Sequence, residues 1–166
     1  MYFRKPRGSL FGNAVMSQEE IDRFLGGRHC ATLGYQNVNG FPGVTPVNYA
    51  WDGKAFYLHC ARKGERYESL LRNQKVALNV YHDANDEADE NGMAEHLSVT
   101  AYGRVRDLRG EEALRALDLI ARQAGKAFKA RGEGNAPFLR QLDVYAVEPE
   151  YMTGRRIRWR SQPAHE

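Results

Sequence analysis

The sequence is poor in cysteine: Cys30 and Cys60 are the only two in 166 residues. Their separation matches no metal-ligand spacing and no Cys-x-x-Cys redox motif. Two reduced, half-buried thiols are the reading. No apolar run approaches the roughly 20 residues needed to cross a bilayer. The opening stretch "MYFRKPRGSLFGNAVMS" is basic but lacks an apolar core segment, so it does not read as a signal peptide. The chain therefore reads as soluble and cytoplasmic. No Ser-His-Asp order, HExxH, Walker A or GxGxxG is present. His29, His82, His96 and His165 show no ligand spacing among themselves, so no metal site is expected. Charge of one sign is also scarce. Lys and Arg number 24 against 21 Asp and Glu, and they are interspersed except in "RKGER" and "GRRIRWR". That argues against nucleic acid and for a small anionic ligand.

The length suits one domain, at roughly 100–200 residues each. We divide the chain into an N-terminal extension over 1–16, a domain over 17–160 and a tail over 161–166. "SQEEIDRFLGG" places Ser17 three residues before Glu20, a capping box. Ile21, Phe24 and Leu25 share one face, and Gly26-Gly27 stops the helix. "HCATLGYQ", "FPGVTPVNYAW" and "KAFYLHCA" read as three strands, joined by Asn-Gly and Asp-Gly hairpin turns. Pro46, inside the second strand, predicts an edge, a bulge or a stretch of unpaired backbone. "GERYESLLRN" is a short helix. "KVALNVYH" alternates, with Val76, Leu78 and Val80 on one face. "DANDEADENG" is too poor in apolar residues to pack and does not fit an EF-hand. "HLSVTAYGRVRDL" is the fifth strand. "GEEALRALDLIARQAGKAF" is an amphipathic helix with Leu114, Leu117, Ile120 and Ala121 on its apolar face. "DVYAVEPEYMTGRRIRW" gives a sixth strand, a turn at Glu148-Pro149-Glu150 and a basic extension. The expected fold is mainly β: a six-stranded antiparallel barrel with flanking helices.

The stretch "LHCARKGER" sets His59, Cys60, Arg62, Lys63 and Arg66 at the mouth of the second helix. A helix N-terminus repels cations, so such a cluster implies an anion among them, unless it is a solvated surface patch. Free N–H groups at that terminus form an anion site, and Arg suits bidentate phosphate contact. Arg104, on strand five, is a candidate further ligand. His59 is either a packed core histidine or a residue beside the ligand.

"TPVNYAWDGKAFYLHCARKGERYESLLRNQKVALNV", followed by "VTAYGRVRDL", resembles the flavin-binding split-barrel family related to pyridoxamine 5′-phosphate oxidase. Within that family it resembles the nitroimidazole-resistance branch. The residues that carry the likeness are His59, Ala61, Gly64, Arg66, Leu70, Asn73, Lys75 and Val76. It runs from about Ser17 to about Arg156, and departs at Gln74, where the family usually has Pro. The resemblance implies a split barrel, a homodimer and FMN at the interface. It implies phosphate contacts from the turn containing Cys60, Ala61, Lys63 and Arg66. The strand carrying Pro46, Val47, Asn48 and Tyr49 would offer backbone groups to the flavin ring. His59 would stand beside the flavin as a catalytic group.

Ser98 and Thr100 alternate along strand five and either face a flavin or point outward. Val99, Ala101 and Val105, on the other parity, are expected to contribute to the dimer surface. Tyr151, Arg155, Arg156 and Trp159 either cover the ring or belong to a disordered tail. The implied function is reduction of a small electron-poor molecule such as a nitro compound, with NADH or NADPH as the candidate electron donor. The alternatives are a flavin-binding protein without turnover, and a split barrel adapted to haem or deazaflavin. The substrate-binding C-terminal pattern of true pyridoxamine-phosphate oxidases has no match in "TGRRIRWRSQPAHE".

Overall fold

In a computed structural model of the chain, residues 14–83, 93–126 and 140–160 are described. The elements run β1 (Ala14–Val15), α1 (Gln18–Gly26), β2 (Cys30–Gln36), β3 (Pro42–Trp51), β4 (Phe56–Ala61), α2 (Glu65–Arg72), β5 (Lys75–Asp83), β6 (Met93–Leu108), α3 (Gly110–Gln123) and β7 (Leu142–Arg160). The acidic stretch after Asp83, the loop "ARGEGNAPF" and the 161–166 tail lie outside the described residues.

All strand pairs are antiparallel, in the order β1-β7-β4-β3-β2-β5-β6, and β7 also pairs with β6. Strands β2 to β7 thus close into a ring of six, which matches the expected barrel. Period-two alternation fills it. Val76, Leu78 and Val80 point inward, as do Leu33, Val47, Tyr49, Phe56 and Leu58. Helix α1 starts on the predicted capping box and adds Ile21, Phe24 and Leu25 to the same core. A second core lies outside the ring. There α3 packs Ala116, Leu117 and Ile120 against Ala50, Leu142, Val144 and Ala146. This helix therefore covers the outer face of β3, β4 and β7.

The structure corrects four expectations. A seventh strand, β1, forms inside the stretch read as an extension, with Ala14 opposite Arg156 and Val15 opposite Arg155. No turn occurs at Glu148-Pro149-Glu150. Strand β7 runs through it, and a shift in register at Tyr102/Gly103 leaves Glu150 as the extra residue of a bulge. Tyr151, Arg155, Arg156 and Trp159 accordingly lie in β7 rather than in a disordered tail. Val99, Ala101 and Val105 are no outer surface: they are buried in the barrel core.

The bulge also explains Gly103. A Cβ there would sit 2.7 Å from the Glu148 carbonyl oxygen and 3.0 Å from a Val147 methyl. Gly103→Ala is therefore expected to lower stability by about 1–3 kcal/mol, the usual cost of overpacking. The measurement is the denaturation midpoint at constant m-value. An unchanged midpoint would mean that the bulge relaxes freely.

Candidate functional site

Strand β3 is paired with β2 from Pro42 to Asn48. Its pairing with β4 covers only Tyr49 to Trp51. Below Tyr49 the two strands part, and β4 continues from His59 to Ala61 against β7 alone. The barrel is therefore split between β3 and β4. The Tyr49 N–H donates to the His29 carbonyl on the far side of β3 at 3.0 Å. Alternation along an extended strand then turns the backbone of Asn48 and Pro46 toward the split. Pro46 has no N–H to leave unpaired there. On the β4 side Pro46 thus has no partner strand among the described residues, and its carbonyl accepts from the Thr45 hydroxyl at 3.5 Å.

Side chains on the two strands divide cleanly. Val47, Tyr49 and Cys60 face the core, whereas Asn48 and His59 face outward. Tyr49 is locked in place, its hydroxyl donating to the Leu25 carbonyl at 2.9 Å. By the same alternation the backbone groups of Val47 and Tyr49 face β2, so these two residues offer the split neither side chain nor backbone. Asn48 and His59 meet across the split at a cavity of about 260 Å³. Helix α3 roofs it with Leu117, Ile120 and Ala121, and Lys126 and Leu142 complete the wall. The apolar stripe of α3 was legible as burial but not as a cavity roof. Neither Lys126 nor Leu142 carried a sequence signal.

His59 is half-buried, and its pKa is lowered, first by burial and then by the charges of Arg66 and Lys126. It is a neutral imidazole at pH 7, able to donate one hydrogen bond and accept another. Burial pushes the Cys60 thiol up, against the opposing pull of Arg66 and of a hydrogen bond with Tyr145. Cys60 is a packed thiol, not a thiolate nucleophile. Cys30 is exposed, and both cysteines are free.

The "RKGER" cluster separates into two directions. Arg62 turns away, its Nε donating to the buried Asp143 carboxylate at 2.7 Å. Arg66 stays beside His59 and Cys60, and Lys63 is exposed on the turn. Gly64 caps α2 at φ 91°, with nothing within 4 Å of where a Cβ would stand. No side chain caps this helix. Its ladder opens with the Glu68 N–H donating to the Gly64 carbonyl at 3.2 Å, so the N–H groups of the first turn precede it. An open glycine cradle, first-turn donors, Lys63 and Arg66 together suit the phosphate of FMN, and the open β3 edge suits a flat ring with its own donors and acceptors. The residues present fit the group.

The remaining candidates lie elsewhere on the subunit. Ser98 and Thr100 are on the outer face of β6, where Thr100 Oγ1 accepts from Asn79 Nδ2 at 2.9 Å. Arg104 pairs with Glu150 at 3.2 Å and lies opposite Lys75, just past the C-terminal end of α2. None of the three reaches the split of its own subunit, since β2 and β5 separate β6 from β3 on one side and β7 separates it from β4 on the other. Arg156 is held by Glu20 at 2.8 Å, and the Tyr151 ring packs tilted against Tyr102. Among the described residues, no group of three His, Cys, Asp or Glu side chains could hold a metal ion, and no helix is long and apolar enough to cross a membrane.

The sequence profile of the pyridoxamine 5′-phosphate oxidase family matches residues 17–156. The chain belongs to this family. No curated protein matches it at a significant level. Among solved structures, a candidate 5-nitroimidazole antibiotic resistance protein from Bacteroides thetaiotaomicron superposes with a TM-score of 0.70 at 20% identity, over 95% of this chain and 98% of that one. A FAD-binding protein from Mesorhizobium loti gives 0.64 at 17% identity, over 88% and 97%. A FAD- and haem-binding protein from Mycobacterium smegmatis gives 0.67 at 15%, over 93% and 76%. At these identities the likeness shows the fold, and the split barrel of the pyridoxamine 5′-phosphate oxidase family is that fold.

Proposed function

We propose that this member of the pyridoxamine 5′-phosphate oxidase family is an FMN-dependent oxidoreductase that reduces a small electron-poor substrate such as a nitro compound. The observation that carries the reading is the split itself: an open β3 edge facing His59 across a cavity, with a cationic helix start beside it. Lys63, Arg66 and the first turn of α2 hold the phosphate. The backbone of Pro46 and Asn48 would line the ring edge. When bound, FMN supplies reversible two-electron redox chemistry. Neutral His59 donates a hydrogen bond to the substrate's oxygen and serves as its general acid, and the apolar stripe of α3 excludes water from the same cavity.

The working unit in this reading is a homodimer. Strands β3, β5 and β6 carry Val44, Tyr81 and Tyr102 exposed on their outer faces. A second copy related by a two-fold axis would cover this face and bring Ser98, Thr100 and Arg104 toward its neighbour's split.

The test is made on the purified full chain. A flavin absorption spectrum, a dimer by light scattering, bleaching by NADH or NADPH and reoxidation by a nitroaromatic are expected. A haem or deazaflavin spectrum would overturn the cofactor. A flavin that binds but cannot be bleached by either nucleotide and reoxidised would favour a carrier without turnover.

A further inference from the structure

A second groove lies on the other side of Leu117 and Leu142 from the His59 cavity. Its volume is about 310 Å³, and the start of α3 lies over it. The floor is apolar: Leu108, Leu117, Leu142 and Val144. Three arginines, Arg62, Arg109 and Arg140, are among the residues that line it. Asp143, 3% exposed, holds two of them, accepting from Arg62 Nε at 2.7 Å and from Arg109 Nη1 at 3.0 Å. Arg109 also contacts Asp107. Among the described residues, Asp107 and Asp143 pair with Arg62 and Arg109, and Arg140 adds a third basic residue to the lining. A single bond at Nε leaves the Arg62 fork able to donate further, because a guanidinium carries five N–H donors. Asp143 thus fixes the guanidiniums in place without saturating them.

We propose that this groove binds a small amphipathic organic anion, a carboxylate with an apolar body, at a site separate from the cofactor split. The carboxylate meets the arginine fork, where bidentate, charge-assisted bonds are available. The apolar body lies along the leucine floor under α3. Leu117 and Leu142 form the wall shared with the His59 cavity, so an occupant here presses on the residues that shape the other site.

The probe is octanoate, titrated calorimetrically into the full chain with and without added FMN, beside octylammonium and inorganic phosphate. Octanoate should bind one per chain in both preparations. Octylammonium should be at least tenfold weaker because its charge is wrong, and phosphate at least tenfold weaker because it has no apolar body. Arg140→Gln, at an exposed position where solvent screens the charge, should weaken octanoate about threefold. Ala113→Trp, which fills the groove from α3, should abolish binding with flavin content unchanged. Equal binding of octanoate and octylammonium would overturn the proposal, as would unchanged affinity in Arg140→Gln. Loss of octanoate binding on adding FMN would make the groove part of the cofactor site and overturn it too. Since flavin-free protein is also titrated, failure of the flavin reading leaves this result standing on its own.

Discussion

His59→Ala is expected to lower turnover of an electron-poor substrate by about 10²–10⁴-fold, the usual contribution of a positioned acid–base group. Flavin content should persist, because His59 faces outward into the cavity, not into the barrel core. A second readout comes from pH. The His59 pKa is lowered in the folded protein from 6.5, by burial first and by Arg66 and Lys126 next. The unfolded chain therefore binds a proton that the folded chain resists. Stability is unaffected above about pH 6.5. It falls as the pH drops through the window between 6.5 and the depressed folded value, and levels off below it. His59→Ala should remove that acid slope. A variant that keeps both full turnover and the slope would leave His59 with neither role.

Arg66→Ala should weaken FMN at least tenfold while barely changing riboflavin. A charge-assisted hydrogen bond contributes about 1.5–3 kcal/mol, and riboflavin has no phosphate to receive it. Lys63→Ala should act in the same direction by less, because Lys63 is exposed and solvent screens its charge. Fluorescence titration of the two flavins against each variant makes the comparison. Equal losses for FMN and riboflavin would show that Arg66 acts through its neighbours Cys60 and His59 and not on a phosphate.

The ring of strands was legible because most of its information is local. Alternation in "KVALNV" placed Val76, Leu78 and Val80 in the core, and the Ser17–Glu20 capping box formed as read. Pro149 misled because proline more often marks a turn than a bulge. Only the partner strand shows that β7 keeps pairing past it, with Gly103 opposite Pro149. Val99, Ala101 and Val105 showed which side of β6 was apolar but not what covers it. The interior of a closed ring and an interface between subunits look alike in one strand.

The candidate site was half legible. His59, Asn48 and the turn at Gly64 were named from the sequence and lie at the split. The partition of "RKGER" was not readable. Arg62 is drawn off by Asp143, 81 positions away, and nothing near either residue announces the pair. Arg104 was grouped with the site by its charge, and Ser98 and Thr100 by alternation along strand five, yet the ring topology sets all three away from the split.

Strand β7 closes the ring, pairing with β4 and β6 at once. It is also the last strand in chain order, so synthesis delivers it after every other part of the barrel. Until it docks, β4 and β6 each lack a partner along one edge, and such edges invite pairing between chains. Its contacts with β4 span a long stretch of sequence, which slows closure. Among the described residues, His59 and Cys60 are held in register by Val144 and Asp143 of β7. The nascent chain therefore cannot shape the split before residue 144 has emerged, and a cofactor held there loads only after the barrel has closed. Yield in the cell is thus a race between closure by β7 and association through the two waiting edges.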